Sequence, residues 1–369
     1  MKKLVLSTLF LASVLCAKEV NIGVVLPLTG AIANYGQDVL SGIEIANKMV
    51  PKLEDGTSVK IIALDTKGDK VESSTAALRL VSQDKAIGII GEAITTNTMQ
   101  VIQVAEENKI PMIAPVASGD RLLDNKKYSS RVCFTDSFQG GKLADYAVDS
   151  LNFKTAAIVI DQSNVYSLGL AKVFEAQLKK RGGKVLKKFM ISSNDKDFKA
   201  IVSQLKSVNP DFVYLPIYHP EAALVVKQAR AAGFTKPFTG ADGLNNKTFI
   251  EIGGEGAEGV IFTDAFDSAN PSTKIGKDFV SFYKKEKGSQ IVPAFSAMGA
   301  DAYMVFVNAM NKCKNSLTPE CVNKEIRSTK NLQTVGGVVS IDSNGNAMRP
   351  VVVKQIKNKE QVYKATINP

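Results

Sequence analysis

From residue 20 onward, short continuous apolar runs alternate with stretches in which apolar residues recur every three or four positions. VNIGVVLPL (20–28), VKIIALD (59–65), AIGIIG (86–91) and IPMIAPV (110–116) read as buried strands. Between them, residues 36–50 place Val39, Ile43, Ala46 and Val50 on one helical face, and residues 95–108 read as a second helix. Strands alternating with helices imply a parallel sheet with crossover helices.

A second series of the same kind begins after Asp136. TAAIVID (155–161), KVLKKFMI (184–191), DFVYLPIY (211–218), PFTGADG (237–243) and EGVIFTDAF (258–266) read as strands or strand ends. Helical patterns cover 166–181, 198–206 (Phe198, Ile201, Val202 and Leu205 on one face) and 221–234, where Gly233 suits a C-cap. Two long helical patterns, 272–287 and 294–312, then precede two more strand-like runs, GGVVSID (336–342) and PVVVKQI (350–356). The expected architecture is α/β, with two doubly wound parallel-sheet lobes joined by a multi-strand hinge. Residues 18–135 plus 265–346 are assigned to the first lobe and 136–264 plus 347–369 to the second. The pattern leaves the path of the crossings undetermined.

Length and composition agree with this division. A chain of 369 residues exceeds one ordinary core, and 45% hydrophobic with 22% charged residues is a globular rather than a disordered balance. The start, MKKLVLSTLFLASVLCAKEV, has the basic, apolar and small-residue parts of a secretory signal peptide, with cleavage expected after Ala17. Cys16 admits lipid anchoring as the alternative, which the bulky Leu15 before it disfavours. Export implies an oxidising, periplasmic setting, in which Cys313 and Cys321 can close a local disulfide across CKNSLTPEC and leave Cys133 as a buried thiol; three unpaired cysteines are the alternative. The formal charge of +10 is spread over helices, and its densest patch, KKRGGKVLKK (179–188), has no interleaved aromatic residues, so nucleic acid is not expected as a partner.

Enzyme signatures are sparse. The single histidine, His219 in YHPE, is read as a capping or surface residue, the carboxylates as scattered and mostly solvated, and QGGKL (139–143) lacks phosphate-loop spacing. No cofactor or metal is expected, and no catalysis. Binding features are richer. In open parallel sheets ligands sit beyond the carboxyl ends of strands, where helix N-termini offer unpaired N–H groups that suit an anion. Thr95 and Ser118 follow two such strands and are read at helix starts, where plain N-capping is the competing explanation.

Several segments together carry a resemblance: VVLPLTGAIANYGQD, GEAITTNT and IPMIAPVAS in the first half, DFVYLPIYHPEAALVVKQARAAGF and FTGADG in the second. In their order and spacing the chain resembles the leucine/isoleucine/valine-binding proteins of ABC importers, with the type I periplasmic binding protein fold. The resemblance implies that Thr95 and Ser118 hold a ligand carboxylate, that the Val116 carbonyl and the Asp242 carboxylate take the ammonium group, and that Tyr166 and Tyr218 are aromatic walls. It places Tyr35, Ala93, Ile94 and Phe295 around the ligand side chain. Some relatives have a disulfide where this chain has Gly68 and Ile94, which leaves that wall less constrained. The implied protein is a monomeric extracytoplasmic carrier that closes on a free, branched-chain amino acid and delivers it to a membrane-embedded ABC permease. Another amino acid or small amide as ligand, or a sensor role for the loaded protein, are the alternatives.

Overall fold

A computed structural model describes residues 18–313 and 316–369. The expected leader, residues 1–17, lies outside the described residues. The chain first lays down β1 (Glu19–Leu26), α1 (Ala33–Met49), β2 (Ser58–Asp65), α2 (Lys70–Ser82), β3 (Gly88–Gly91), α3 (Thr95–Asn108), β4 (Met112–Ala114) and β5 (Ser129–Arg131). These five strands form one parallel sheet in the order β2-β1-β3-β4-β5.

The next series is α4 (Asp136–Asp149), β6 (Thr155–Asp161), α5 (Val165–Lys180), β7 (Lys184–Ile191), α6 (Lys199–Val208), β8 (Phe212–Leu215), α7 (His219–Ala231), β9 (Phe238–Gly240), α8 (Lys247–Gly253) and β10 (Ile261–Asp264). Its parallel strands repeat the first plan, β7-β6-β8-β9-β10. The chain returns through α9 (Lys274–Lys287), α10 (Ala294–Lys312) and α11 (Pro319–Arg327) to a small antiparallel sheet of β11 (Leu332–Thr334), β12 (Gly337–Ile341) and β13 (Ala347–Met348). It crosses once more, and β14 (Val351–Lys357) and β15 (Glu360–Ile367) extend the second sheet antiparallel to β10. Three passages between the sheets follow, after β5, after β10 and after β13.

Packing explains this return. Helix α10 buries fifteen of its nineteen residues and lies against α1 in the largest apolar cluster. The contact is close enough that a Cβ at Gly42 would sit 1.8 Å from the Ser296 carbonyl oxygen, so only glycine fits. This approach fixes Tyr35 on α1 and Phe295 on α10 side by side, their rings 5.5 Å apart. Where the chain returns to the second sheet, Arg349 is buried with Asp301 at 3.1 Å and donates to the Val132 and Gly336 carbonyls at 2.7 and 2.8 Å. One guanidinium thus ties the first and third passages to α10.

Cys313 and Cys321 form a disulfide, and Cys133 is a buried free thiol. Gly233, at φ +77°, follows the end of α7. Two expectations change. Ser118 does not open a helix: residues 120–125 form turns, because SGDRLLDNKK has no sustained helical face. Strand β15 is absent from the sequence expectation because it is an edge strand, EQVYKATI, with no fully buried residue. Among the described residues no helix is long and apolar enough to cross a membrane.

Candidate ligand-binding site

Both parallel sheets point the carboxyl ends of their strands toward a shared cleft. One cavity there is lined by Tyr35, Ala93, Ile94, Thr95, Val116, Ser118, Tyr166, Tyr218, Asp242, Gly243 and Phe295. All ten residues expected to surround a ligand therefore meet at one place, and Gly243 joins them. A wider cleft of about 400 Å³ adjoins it, sharing Ile94 and Tyr218 and reaching Lys67, Lys70 and Glu221.

The first wall comes from the ends of β3 and β4. Thr95 is the first residue of α3, and the position before it, Ile94, has no capping side chain, so the helix start is left to face the cavity. Ser118 is brought beside it by Gly119, where a Cβ would lie 2.5 Å from Thr95 Cγ2. Behind this wall Glu92 is fully buried; it accepts from Ile94 N and from Thr66 Oγ1, both at 2.7 Å. Burial raises its pKa to about 7 despite these donors.

The second wall is built around Asp242, in a 3-10 turn that follows β9. Tyr166 Oη and Gln139 Nε2 both donate to Asp242 Oδ1, at 2.8 and 3.0 Å. Tyr166 is placed by the Asn164 cap of α5, and its hydroxyl accepts from Gly243 N at 3.0 Å. Tyr166 and Tyr218 stack with centroids 5.0 Å apart. Burial raises the Asp242 pKa to about 6, the Tyr166 and Gln139 donors opposing it. Among the described residues no cation pairs with this carboxylate.

Tyr35 links the walls directly. Its hydroxyl donates to the Gly243 carbonyl at 2.5 Å and accepts from His219 N at 3.0 Å. This corrects the surface reading of His219. It is the first residue of α7, 1% exposed, with its ring edge-on to Tyr35 at 4.8 Å, and burial lowers its pKa to about 4. Most carboxylates stay outside the core, as expected, but a group at the centre of the molecule does not. Glu92, Asp136, Asp242, Asp264 and Asp301 are all buried. Asp136 and Gln139 were not singled out from sequence, although their three-residue spacing on one helix was a readable sign that they share a face. Among the described residues, no group of three or more His, Cys, Asp and Glu side chains could hold a metal ion.

Two similar α/β lobes shut on a cavity with an anion-suited helix start on one wall and a buried carboxylate on the other define a ligand-clamping binding protein. The chain belongs to the periplasmic binding protein family, whose model matches residues 19–361. It is 29% identical over 338 residues to the Leu/Ile/Val-binding protein homolog 3 of Brucella melitensis, covering 90% of this chain and 89% of that one. It is 32% identical over 250 residues to the Leu/Ile/Val-binding protein of Escherichia coli, 67% and 68% of the two chains. Its fold is similar to the leucine binding protein LivK of Thermotoga maritima, with a TM-score of 0.92 and 38% identity over 95% of this chain and 99% of that one. It is also similar to LivJ of Streptococcus pneumoniae, solved with isoleucine, with a TM-score of 0.89 and 26% identity over 95% and 99%.

Proposed function

We propose that this protein is the extracytoplasmic binding component of an ABC importer and captures a free branched-chain amino acid by closing its lobes. The relatives named for leucine, isoleucine and valine support the ligand class. The observation that carries the reading is the placement of opposite polar partners on opposite walls, Thr95 and Ser118 on one and Asp242 on the other, with apolar and aromatic side chains between.

In this reading the start of α3 and the two hydroxyls take the ligand carboxylate, and the Val116 carbonyl and Asp242 take its ammonium group. Ala93, Ile94, Tyr35 and Phe295 face the aliphatic side chain, with Tyr166 and Tyr218 as cover. Residues 18–135 plus 265–346 form the lobe of the carboxylate cradle; residues 136–264 plus 347–369 form the lobe of the ammonium partner. Both ends of one zwitterion are engaged only when the lobes meet, so ligand favours the closed form by its differential affinity. The protein acts as a monomer that holds its ligand without reacting with it, and its partner is a membrane-embedded permease rather than a nucleic acid.

A melting screen over the free amino acids tests this. A ligand at about one hundred times its Kd stabilises the fold by roughly 2.7 kcal/mol. Leucine, isoleucine and valine should raise Tm, with small differences among them because one methylene contributes only about 0.8 kcal/mol. Failure of every aliphatic amino acid to raise Tm refutes the reading.

A further inference from the structure

Gln139 lies outside the cavity lining but touches both Asp242, which lines it, and Asp136 behind it. The residue is fully buried on α4. Its Oε1 accepts from Thr263 Oγ1 at 2.9 Å and from the backbone N of Asp242 at 3.4 Å. A backbone N–H can only donate, so this pair fixes which way the amide faces; the flipped amide would set donor against donor. The two N–H groups of Nε2 are thereby aimed at Asp136 Oδ1 and Asp242 Oδ1, each at 3.0 Å.

Asp136 is 1% exposed, and beside Gln139 its carboxyl faces the Ser118 side chain. Two buried carboxylates thus face one neutral side chain. The buried Lys354 is committed to Asp264 at 2.5 Å, and Asp264 in turn accepts from Asn245, three residues beyond Asp242. Like charges in one dry site disfavour each other, and a shared donor is what lets one of them stay ionised at modest cost.

We infer that Gln139 is a positioning residue for amine recognition: it orients Asp242, separates it from Asp136, and so sets the preference for ligands carrying an ammonium group. Gln139 does not touch the ligand. Its donors are both used, and its acceptor is turned away toward Thr263. The inference rests on the reading of Asp242 as the ammonium partner and adds a residue to it.

The test is the ratio of two affinities, for leucine and for 2-hydroxy-4-methylpentanoate, which has the same skeleton and carboxylate but a hydroxyl in place of the ammonium. Gln139→Met keeps length and removes the donors. Loss of one hydrogen bond to a charged group corresponds to roughly ten- to a hundredfold, so leucine binding should weaken by that factor while the hydroxy acid changes less than about threefold on the same scale. Thr263→Val, a milder change that removes one of the two donors holding the amide oxygen, should shift the ratio in the same direction by a smaller factor and serves if Gln139→Met does not fold.

Equal weakening of both ligands, or an unchanged ratio in either variant, overturns the inference by reducing Gln139 to a packing residue. Asp242→Asn separates this from failure of the underlying reading. If that variant still binds leucine at full strength, the ammonium assignment itself is wrong; if it loses leucine while Gln139→Met and Thr263→Val keep the wild-type ratio, only the role of Gln139 falls.

Discussion

Replacing Asp242 with asparagine should have opposite effects on the loaded and empty protein. In the empty protein the carboxylate is buried with two donors on Oδ1 and no cation, and its pKa is raised from the ordinary value to about 6. A folded-state pKa above the unfolded one means that the folded protein holds the extra proton. This group's contribution to stability is therefore full below about pH 4 and lost as pH rises through 6. Asparagine suffers no such loss. At pH 8 the empty Asp242→Asn protein should melt no lower than wild type, and the difference should favour the variant more at pH 8 than at pH 5.

Ligand binding should respond in the other direction. The asparagine oxygen would be drawn to Tyr166 and Gln139, which leaves its NH₂ group against an ammonium. Breaking a buried charge pair by removing one partner costs about 3–5 kcal/mol, or roughly a hundred- to a few-thousandfold in Kd. Calorimetric titration with leucine at pH 8, paired with melting curves of the empty proteins at pH 5 and 8, measures both effects. A leucine Kd within about threefold of wild type, on the same scale of 1.4 kcal/mol per tenfold, refutes the argument. So does an empty-protein Tm lowered at pH 8 by more than about 4 °C, the shift expected of roughly 1–2 kcal/mol in a domain of this size.

Three further outcomes follow from the same geometry. Ser118→Ala combined with Thr95→Val should weaken leucine binding by roughly tenfold or more, about one kcal/mol or more per lost hydroxyl contact, while binding of the corresponding amine without a carboxylate changes little; competition titration reads both. Asp136, pushed up to about 8 chiefly by burial and then by Asp242, holds a proton in the folded state that the unfolded chain releases near pH 4. The empty protein should therefore lose stability from pH 5 to 8, by an amount on the order of a few kcal/mol at most, and Asp136→Asn should flatten that decline in pH-dependent melting. Arg349→Met should cost about 3–5 kcal/mol in urea unfolding because Asp301 is left buried without its cation; a loss below about 1 kcal/mol would mean the pair does not hold the passages together.

The fold was readable wherever burial imposed a local pattern. Strands such as β1, with six of eight residues buried, and β8, buried throughout, announce themselves as apolar runs. The edge strand β15 does not, because half-exposed edges select mixed side chains. The cavity residues were reached through strand ends and a family likeness, but the groups behind them were not. Gln139 and Asp242 are 103 residues apart in the chain, and nothing in QGGKL marks a donor destined for two carboxylates. His219 looked like a surface helix start because HPE is a common opening, yet the start of α7 lies beneath Tyr35. Ser118 was misplaced on a helix because a strand end followed by a hydroxyl is locally the same signal whether a helix or a turn comes next.

The central claim is that the two walls grip opposite ends of one molecule, and a crystal structure of the protein grown with leucine tests it most directly. The carboxylate should lie against Thr95 and Ser118, with the ammonium group within hydrogen-bond distance of Asp242. Leucine bound the other way round, or held elsewhere with Asp242 still bonded only to Tyr166 and Gln139, would contradict it.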